Sequence, residues 1–344
     1  MQFAHRTLGQ RVVLDQGGAL ARIRAELDRL EPRAVMVIGS DRHAALLDAL
    51  TGRTALRWTE VVQHVPEALA ERATRAATDA GADVVVAIGG GSAIGLAKVV
   101  ALHRPVRIVA VPTTYAGSEA TNVWGLTGPA GKRTGSADRV LPEVVVYDPD
   151  LVASMPSELA AASGLNAVAH CVDALWGPTA DPINAALALE GLRALNDGLR
   201  SGNPARTQYG CYLAAVAFAS AGSGLHHKIC HVLGGRFDLP HAAMHAIVLP
   251  YVVAFNAPAA PDAAARIAGA LGSIDALAGL EDLRDDLRAP RALRDIGLRA
   301  EDLPEAVDAV LPAVPANNPR PVDAAALTRL LRAAWAGDDP GGLA

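Results

Sequence analysis

Six of the ten histidines lie between His170 and His245, and their spacing is the first sign of chemistry. His227 and His231 are four apart, His241 and His245 are four apart, and Asn166 stands four before His170. Residues at i and i+4 share a helical face, so five imidazoles and an amide can converge from three helices. An imidazole donates or accepts hydrogen bonds, titrates near neutrality and binds metals, so such a convergence suits acid–base or metal-assisted chemistry. A single helical histidine would read as an ordinary core or surface residue. His226, out of phase with His227, is expected to point elsewhere.

A second group of residues suits a nucleotide. In VAIGGGSAIGLAK, Gly89, Gly90, Gly91 and Ser92 join an apolar run to a helical period. Glycines let a diphosphate approach the backbone, and the helix N-terminus adds N–H groups and positive potential. A tight strand–helix turn is the plain alternative. The run is neither a GxGxxG fingerprint nor a Walker loop. In VPTTYAGSE, which follows another apolar run, the hydroxyls of Thr113, Thr114 and Ser118 suit ribose and phosphate. Open parallel sheets bind ligands at the carboxyl ends of their strands, so both loops are expected to line one crevice. Ser40 and Asp41 follow the first long strand, where an acid accepts ribose hydroxyls and disfavours a 2′-phosphate. Arg42 beside it blunts that preference, and helix capping is the other use for Asp41.

The elements that must position these groups change character near residue 153. Runs at 33–39, 83–88, 106–111 and 144–147 read as strands, and 18–30 and 67–80 as helices between them. That alternation implies a mainly parallel sheet covered on both faces. Beyond Asp148-Pro149 the periods are helical: 157–176, 181–200, 205–234, 241–256, 260–278, 292–299, 303–311 and 323–336. Pro250 is expected to kink or end one of them, and 312–321 reads as an ordered surface loop. The division expected is 1–153, a Rossmann-like dinucleotide-binding α/β domain, and 154–344, an all-α domain carrying the substrate and active site.

Composition narrows the classes. Hydrophobic residues are 51% and charged residues 19% of the chain, a globular and not a disordered balance. A formal net charge of -5 argues against a general nucleic-acid surface. Cys171, Cys211 and Cys230 lack CxxC spacing and read as free thiols. Charges throughout residues 1–30 speak against a signal peptide, and no uninterrupted apolar run reaches membrane length. A cytoplasmic enzyme without membrane or nucleic-acid partners is the expectation.

Taken together, the GGGS loop, the PTT…GSE segment, SGLNAVAH, LHHKICHVLGG and LPHAAMHAIVLP resemble the iron-containing alcohol dehydrogenase superfamily, whose architecture is shared with dehydroquinate synthase. Within it the chain is similar to the maleylacetate reductases, with WGLT, GKRTG and NPRP adding to the match. The resemblance implies NADH- or NADPH-dependent reduction of the carbon–carbon double bond of maleylacetate to 3-oxoadipate in aromatic-compound catabolism, by a homodimer. It implies catalytic roles for His170, His227, His231 and His241. Substrate contacts are expected from Tyr115, Lys132, Asn166, Arg236 and His245, with Arg133, Lys228 and Arg320 as further cations for a keto-dicarboxylate. The superfamily's metal site is an Asp and three His, and the matching positions are Asn166, His170, His227 and His241. An amide oxygen lacks the charge of a carboxylate, so iron or zinc is not expected to be required. Gly95 stands where metal-dependent relatives carry an acid in GGGSxxD. Three rival readings remain: an iron- or zinc-dependent alcohol dehydrogenase or aldehyde reductase, a sugar-phosphate cyclase of dehydroquinate synthase type, and a non-catalytic nucleotide-binding protein.

Overall fold

Runs of β-branched residues without alternation can be buried on both faces, and that is where they sit in the computed structural model, which describes residues 2–7, 9–129 and 131–344. The N-terminal unit is Thr7–Met155. Among the described residues its strands are β1 (Arg11–Leu14), β2 (Val35–Gly39), β3 (Leu56–Trp58), β4 (Val84–Gly89), β5 (Arg107–Pro112), β6 (Val123–Gly128), β7 (Gly131–Ser136) and β8 (Val144–Tyr147). One parallel sheet runs in the order β1-β8-β5-β4-β2-β3. Its helices are α1 (Ala19–Leu30), α2 (Ala44–Ala49), α3 (Glu67–Asp79), α4 (Gly91–His103) and α5 (Pro149–Val152).

Successive strand residues point to opposite faces, and each face has its own cover. Met36, Ile38, Val85, Ala87, Ile108 and Ala110 pack with α3 and α4. Val37, Val84, Val86, Val109 and Val144 pack with Ile23 and Leu27 of α1 and Leu47 of α2. The two short sheet edges, β1 and β3, and the antiparallel β6–β7 hairpin were not expected from the sequence. The edge strands have only four and three residues and are partly exposed, and the hairpin is glycine-rich.

The helical unit comprises residues 2–6 and 156–344. His5 Nδ1 lies 2.8 Å from Asp181 Oδ2, tying the first residues to the unit. Its helices are α6 (Ser157–Trp176), α7 (Pro182–Ser201), α8 (Pro204–Ala221), α9 (Leu225–Phe237), α10 (His241–Asn256), α11 (Pro261–Ala270), α12 (Ala276–Asp286), α13 (Leu303–Val310) and α14 (Ala324–Ala336). Asp181, Asn203, Asp275 and Asp323 cap the helices that follow them, each accepting from a backbone N–H of the first turn.

Three expectations are corrected here. The period read as one helix over 205–234 is broken between α8 and α9, where Gly222 adopts φ 79°. The period over 260–278 is likewise divided, by Gly272 at φ 70° and the Asp275 cap. The segment 292–299 is only a short 3-10 turn, Leu293–Ile296, stopped by Gly297 at φ 108°.

Pro250 neither ends nor divides α10. The residues around it are buried, and their packing outweighs a local cost of about 3 kcal/mol. Among the described residues one helical stretch, His241–Ala259, is long and apolar enough to cross a membrane, but 72% of its apolar window is buried in the helical core. The loop 312–321 is ordered as expected. Asn318 and Asn256 exchange side-chain hydrogen bonds across it.

Candidate functional site

In the N-terminal unit three adjacent parallel strands bring their carboxyl ends to one edge of the sheet. Gly39 is paired with Ile88, and Gly89 with Pro112, so the segments after β2, β4 and β5 are neighbours. Ser40 and Asp41 follow β2, Gly89–Ser92 follow β4, and Thr113–Ser118 follow β5. Asp41 is exposed, with Arg57 Nη2 at 3.9 Å from its carboxylate.

The three glycines are not equivalent. Gly89 has φ 153°, and a Cβ there would stand 2.8 Å from Ala93 Cβ. A Cβ on Gly90 would meet Thr114 Cγ2 at 2.9 Å. On Gly91 it would meet only Ala116 Cβ at 3.7 Å, an ordinary contact. The fold therefore requires the first two glycines, whereas it has room for a Cβ at the third. Gly91→Ala is expected to leave the melting temperature unchanged while raising the KM for reduced coenzyme about tenfold, a loss of ~1.4 kcal/mol. Thermal unfolding and coenzyme titration check both halves. An unchanged KM would remove the diphosphate from this turn.

The hydroxyl loop after β5 is fastened from within by Lys98 of α4. Its fully buried Nζ donates to Ser118 O at 2.5 Å, Thr121 O at 2.8 Å, Thr121 Oγ1 at 3.0 Å and Val123 O at 2.8 Å. Burial lowers its pKa to about 7, opposed by nearby Glu119. Glu119, also buried, accepts from Tyr147 Oη at 2.7 Å. Its own pKa is raised by burial, against the Tyr147 hydrogen bond and Lys98. Gly95 sits on the same helix, and a side chain there would press on Val65 Cγ2 at 3.1 Å.

In the helical unit the imidazoles do converge. His170 of α6 stacks on His227 of α9 with ring centroids 4.9 Å apart, and Phe218 of α8 lies 4.7 Å and 4.2 Å from the two rings. His231 lies 5.8 Å from His227 and stacks on His241 of α10 at 6.4 Å. His170 and His227 are buried, His241 is half-buried and His231 is exposed, so the cluster runs from the interior to solvent. Burial lowers the pKa of His170 to about 3, with repulsion from His231 second. Burial likewise holds His227, His226 and His245 well below the ordinary histidine value, and neighbouring imidazoles, His170 first for His226 and His227 and His241 first for His245, lower them further. These four rings are neutral at physiological pH. Asp173 of α6, absent from the sequence-derived site, bonds His227 Nδ1 at 2.7 Å.

Residues 10–149 match the iron-containing alcohol dehydrogenase family, and residues 160–335 match the C-terminal part of the Fe-containing alcohol dehydrogenase family. The chain belongs to that family. Maleylacetate reductase 2 of Cupriavidus pinatubonensis is 45% identical over 338 residues, covering 94% of both chains. The crystal structure of an iron-containing alcohol dehydrogenase from Corynebacterium glutamicum superposes with a TM-score of 0.97 at 53% identity, covering 100% of this chain and 99% of that one. That of a maleylacetate reductase from Agrobacterium tumefaciens gives 0.93 at 36% identity, covering 98% and 99%. This protein is an oxidoreductase with the α/β and helical architecture of its family.

The family's metal positions can be tested on the side chains present. Asn166 Oδ1, His170 Nδ1 and His227 Nε2 are buried with no hydrogen-bond partner. Unpartnered acceptors on neutral donors fit a divalent cation, although no carboxylate is among Asn166, His170, His227 and His241. Among the described residues, the three groups whose ligand atoms lie within 4.8 Å of one another are a different set, His226, Cys230 and His245. There His226 Nε2 and His245 Nδ1 share a hydrogen bond of 2.8 Å, and Cys230 Sγ lies 3.8 Å from His226 Nε2.

The structure gives the expected substrate contacts the following surroundings. His245 is fully buried and bonded to His226, behind the rings that reach solvent. Its ring keeps the His241 face, 4.4 Å from His241 and 4.9 Å from His227, on the buried side of the cluster. Arg236 is turned to Glu305, with Nε 2.5 Å from its carboxylate. Arg133 pairs with Glu67, and Arg320 donates to Phe255 O and Leu343 O while lying over the Phe255 ring. Arg236 and Arg133 are exposed in these pairs, whereas Arg320 is held against the helical unit. Tyr115 is buried in the hydroxyl loop. The Lys132 side chain lies outside the described residues.

Proposed function

We propose that this protein reduces the carbon–carbon double bond of maleylacetate to 3-oxoadipate in aromatic-compound catabolism, with NADH or NADPH as the reductant. The observation that carries this reading is a cluster of neutral imidazoles in which an amide, Asn166, stands at the family's acidic position. The full-length likeness to maleylacetate reductases supports it. A dianionic substrate is repelled by a site acid, and Asp173, a buried acid bonded to the cluster, is engaged by His227.

Bound NADH or NADPH supplies the hydride. The alkene carbon farther from the ketone receives it, and the alkene electrons move to the ketone oxygen. The resulting enolate takes a proton at the nearer carbon. Because the charge is delocalised over an enone, neutral imidazole donors suffice to stabilise it, and positioned donors of this kind contribute about 10²–10⁴ in rate. A divalent cation, where bound, would be held by His170, His227, His241 and the Asn166 oxygen and would polarise the ketone oxygen; we propose that it is dispensable. Asp41 favours NADH, with Arg57 offsetting part of that preference. The proposal includes a homodimer acting in the cytoplasm.

The test is coenzyme oxidation with maleylacetate, set against simple ketones and aldehydes, before and after dialysis against a chelator. Turnover of maleylacetate that survives dialysis is expected. Reaction with simple carbonyls alone, restored only by iron or zinc, would establish the metal-dependent alternative instead.

A further inference from the structure

The N-terminus of α9 is closed by a side chain from another helix. Gly224 is its cap residue, and Leu225, His226 and His227 form the first turn. Asp173 Oδ2 accepts from Gly224 N at 3.0 Å, from His227 N at 3.2 Å and from His227 Nδ1 at 2.7 Å. Trp176 Nε1 approaches Oδ1 at 3.4 Å. Burial raises the pKa of Asp173 to about 7, against the hydrogen bonds from His227, Trp176 and Gly224. Each of these partners can donate, so the geometry at both oxygens is that of a carboxylate that accepts. A Cβ on Gly224 would stand 2.4 Å from Asp173 Oδ1, so glycine is what lets the carboxylate close on the helix end.

An imidazole that is neutral carries one proton, and the partner of one nitrogen decides the state of the other. Two backbone N–H groups already point at Oδ2, which leaves Nδ1 to join them as a third donor. Nε2, on the far side of the ring, is buried without a partner. We infer that Asp173 is a positioning residue that holds His227 as the Nδ1–H tautomer, so that Nε2 offers the imidazole cluster a lone pair and not a proton. The functional meaning rests on the proposed reduction. The dianionic substrate has no donor to offer, so His227 Nε2 then accepts from a bound water or coordinates a cation, and protonation of the enolate falls to His170, His231 or His241.

The experiment is nitrogen NMR of the full chain labelled with ¹⁵N-histidine, the His227 signals being assigned by their loss in His227→Gln. A proton-bearing Nδ1 and a bare Nε2 are expected, and a proton on Nε2 would overturn the inference. Asp173→Leu removes the acceptor, and should release the tautomer and lower kcat roughly 10- to 100-fold with the coenzyme KM unchanged. A folded Asp173→Leu chain with the original tautomer and kcat would also overturn it. Asp173→Asn can seat one oxygen against the same three donors, and should keep the tautomer and recover most of the lost kcat. Should the leucine variant fail to fold, the spectra of the unsubstituted chain and of Asp173→Asn decide. The spectra need no substrate, so a wrong choice of substrate would show separately, as an unsubstituted chain that does not turn over maleylacetate.

Discussion

Replacing Lys98 with methionine is expected to lower stability by about 3 kcal/mol and to raise the KM for reduced coenzyme more than about tenfold. Two effects oppose each other in this substitution. Methionine relieves the cost of burying an amine, a cost visible in a pKa brought down to about 7 by burial. It also strips the ammonium donor from Thr121 O and Val123 O, whereas Ser118 O keeps Thr121 N and Thr121 Oγ1, each at 3.3 Å. Each buried carbonyl left without a donor costs about 1–3 kcal/mol. Glu119 loses its neighbouring cation as well. The orphaned groups therefore outweigh the relief, and they are spread along the loop that carries Ser118. Denaturant unfolding with and without coenzyme measures both effects. Unchanged stability and unchanged KM together would show that the loop holds its shape without Lys98.

The centre of the sheet was readable because β2, β4, β5 and β8 are apolar runs buried on both faces. No such pattern marks β1 or β3, whose pairing is decided by the neighbours they find at the sheet edges. The break between α8 and α9 had a local signal in Gly222-Ser223-Gly224. Continuous alanine and leucine periods on either side hid it. What requires the break is distant in sequence: Asp173 occupies the space a Cβ on Gly224 would need.

Spacing by whole helical turns identified faces, and the structure links His170 to His227, His227 to His231 and His231 to His241 as successive neighbouring rings. It could not show which nitrogen each ring presents, because that depends on a partner from another helix. Asp173 lies three residues after His170, a lone acid in an otherwise apolar stretch of α6. Lys98 is the equivalent lone cation in α4. A charge inside an apolar helix is rarely buried without a partner, so both positions carried a signal that periodicity alone does not weigh. Arg236 shows the converse. Its type suited a carboxylate, but Glu305 on α13 had already taken it.

His170→Ala is expected to reduce kcat by about 10²–10⁴, whereas His226→Ala should lower the melting temperature and leave kcat close to that of the unsubstituted chain. Both rings are neutral and deeply buried, so burial alone does not distinguish them. Their partners do. His226 is hydrogen-bonded to His245 at 2.8 Å and has Cys230 at 3.8 Å, and its removal leaves a void and an unpaired imidazole in the core. Deletions of that kind cost about 2–4 kcal/mol. His170 packs on Phe218 and His227, and its Nδ1, like that of His226, is buried without a partner; the difference is that His226 is held through Nε2 by His245. A buried polar atom left unpaired costs stability unless something else binds there, and a developing oxyanion or a cation is the partner it can serve. A neutral imidazole can hydrogen-bond to an oxyanion without itself titrating, so its deletion should act on the chemical step more than on substrate KM. Stopped-flow coenzyme oxidation under single turnover separates that step from binding. Equal kcat losses in the two variants would mean that the division between a reacting face and a structural face is wrong.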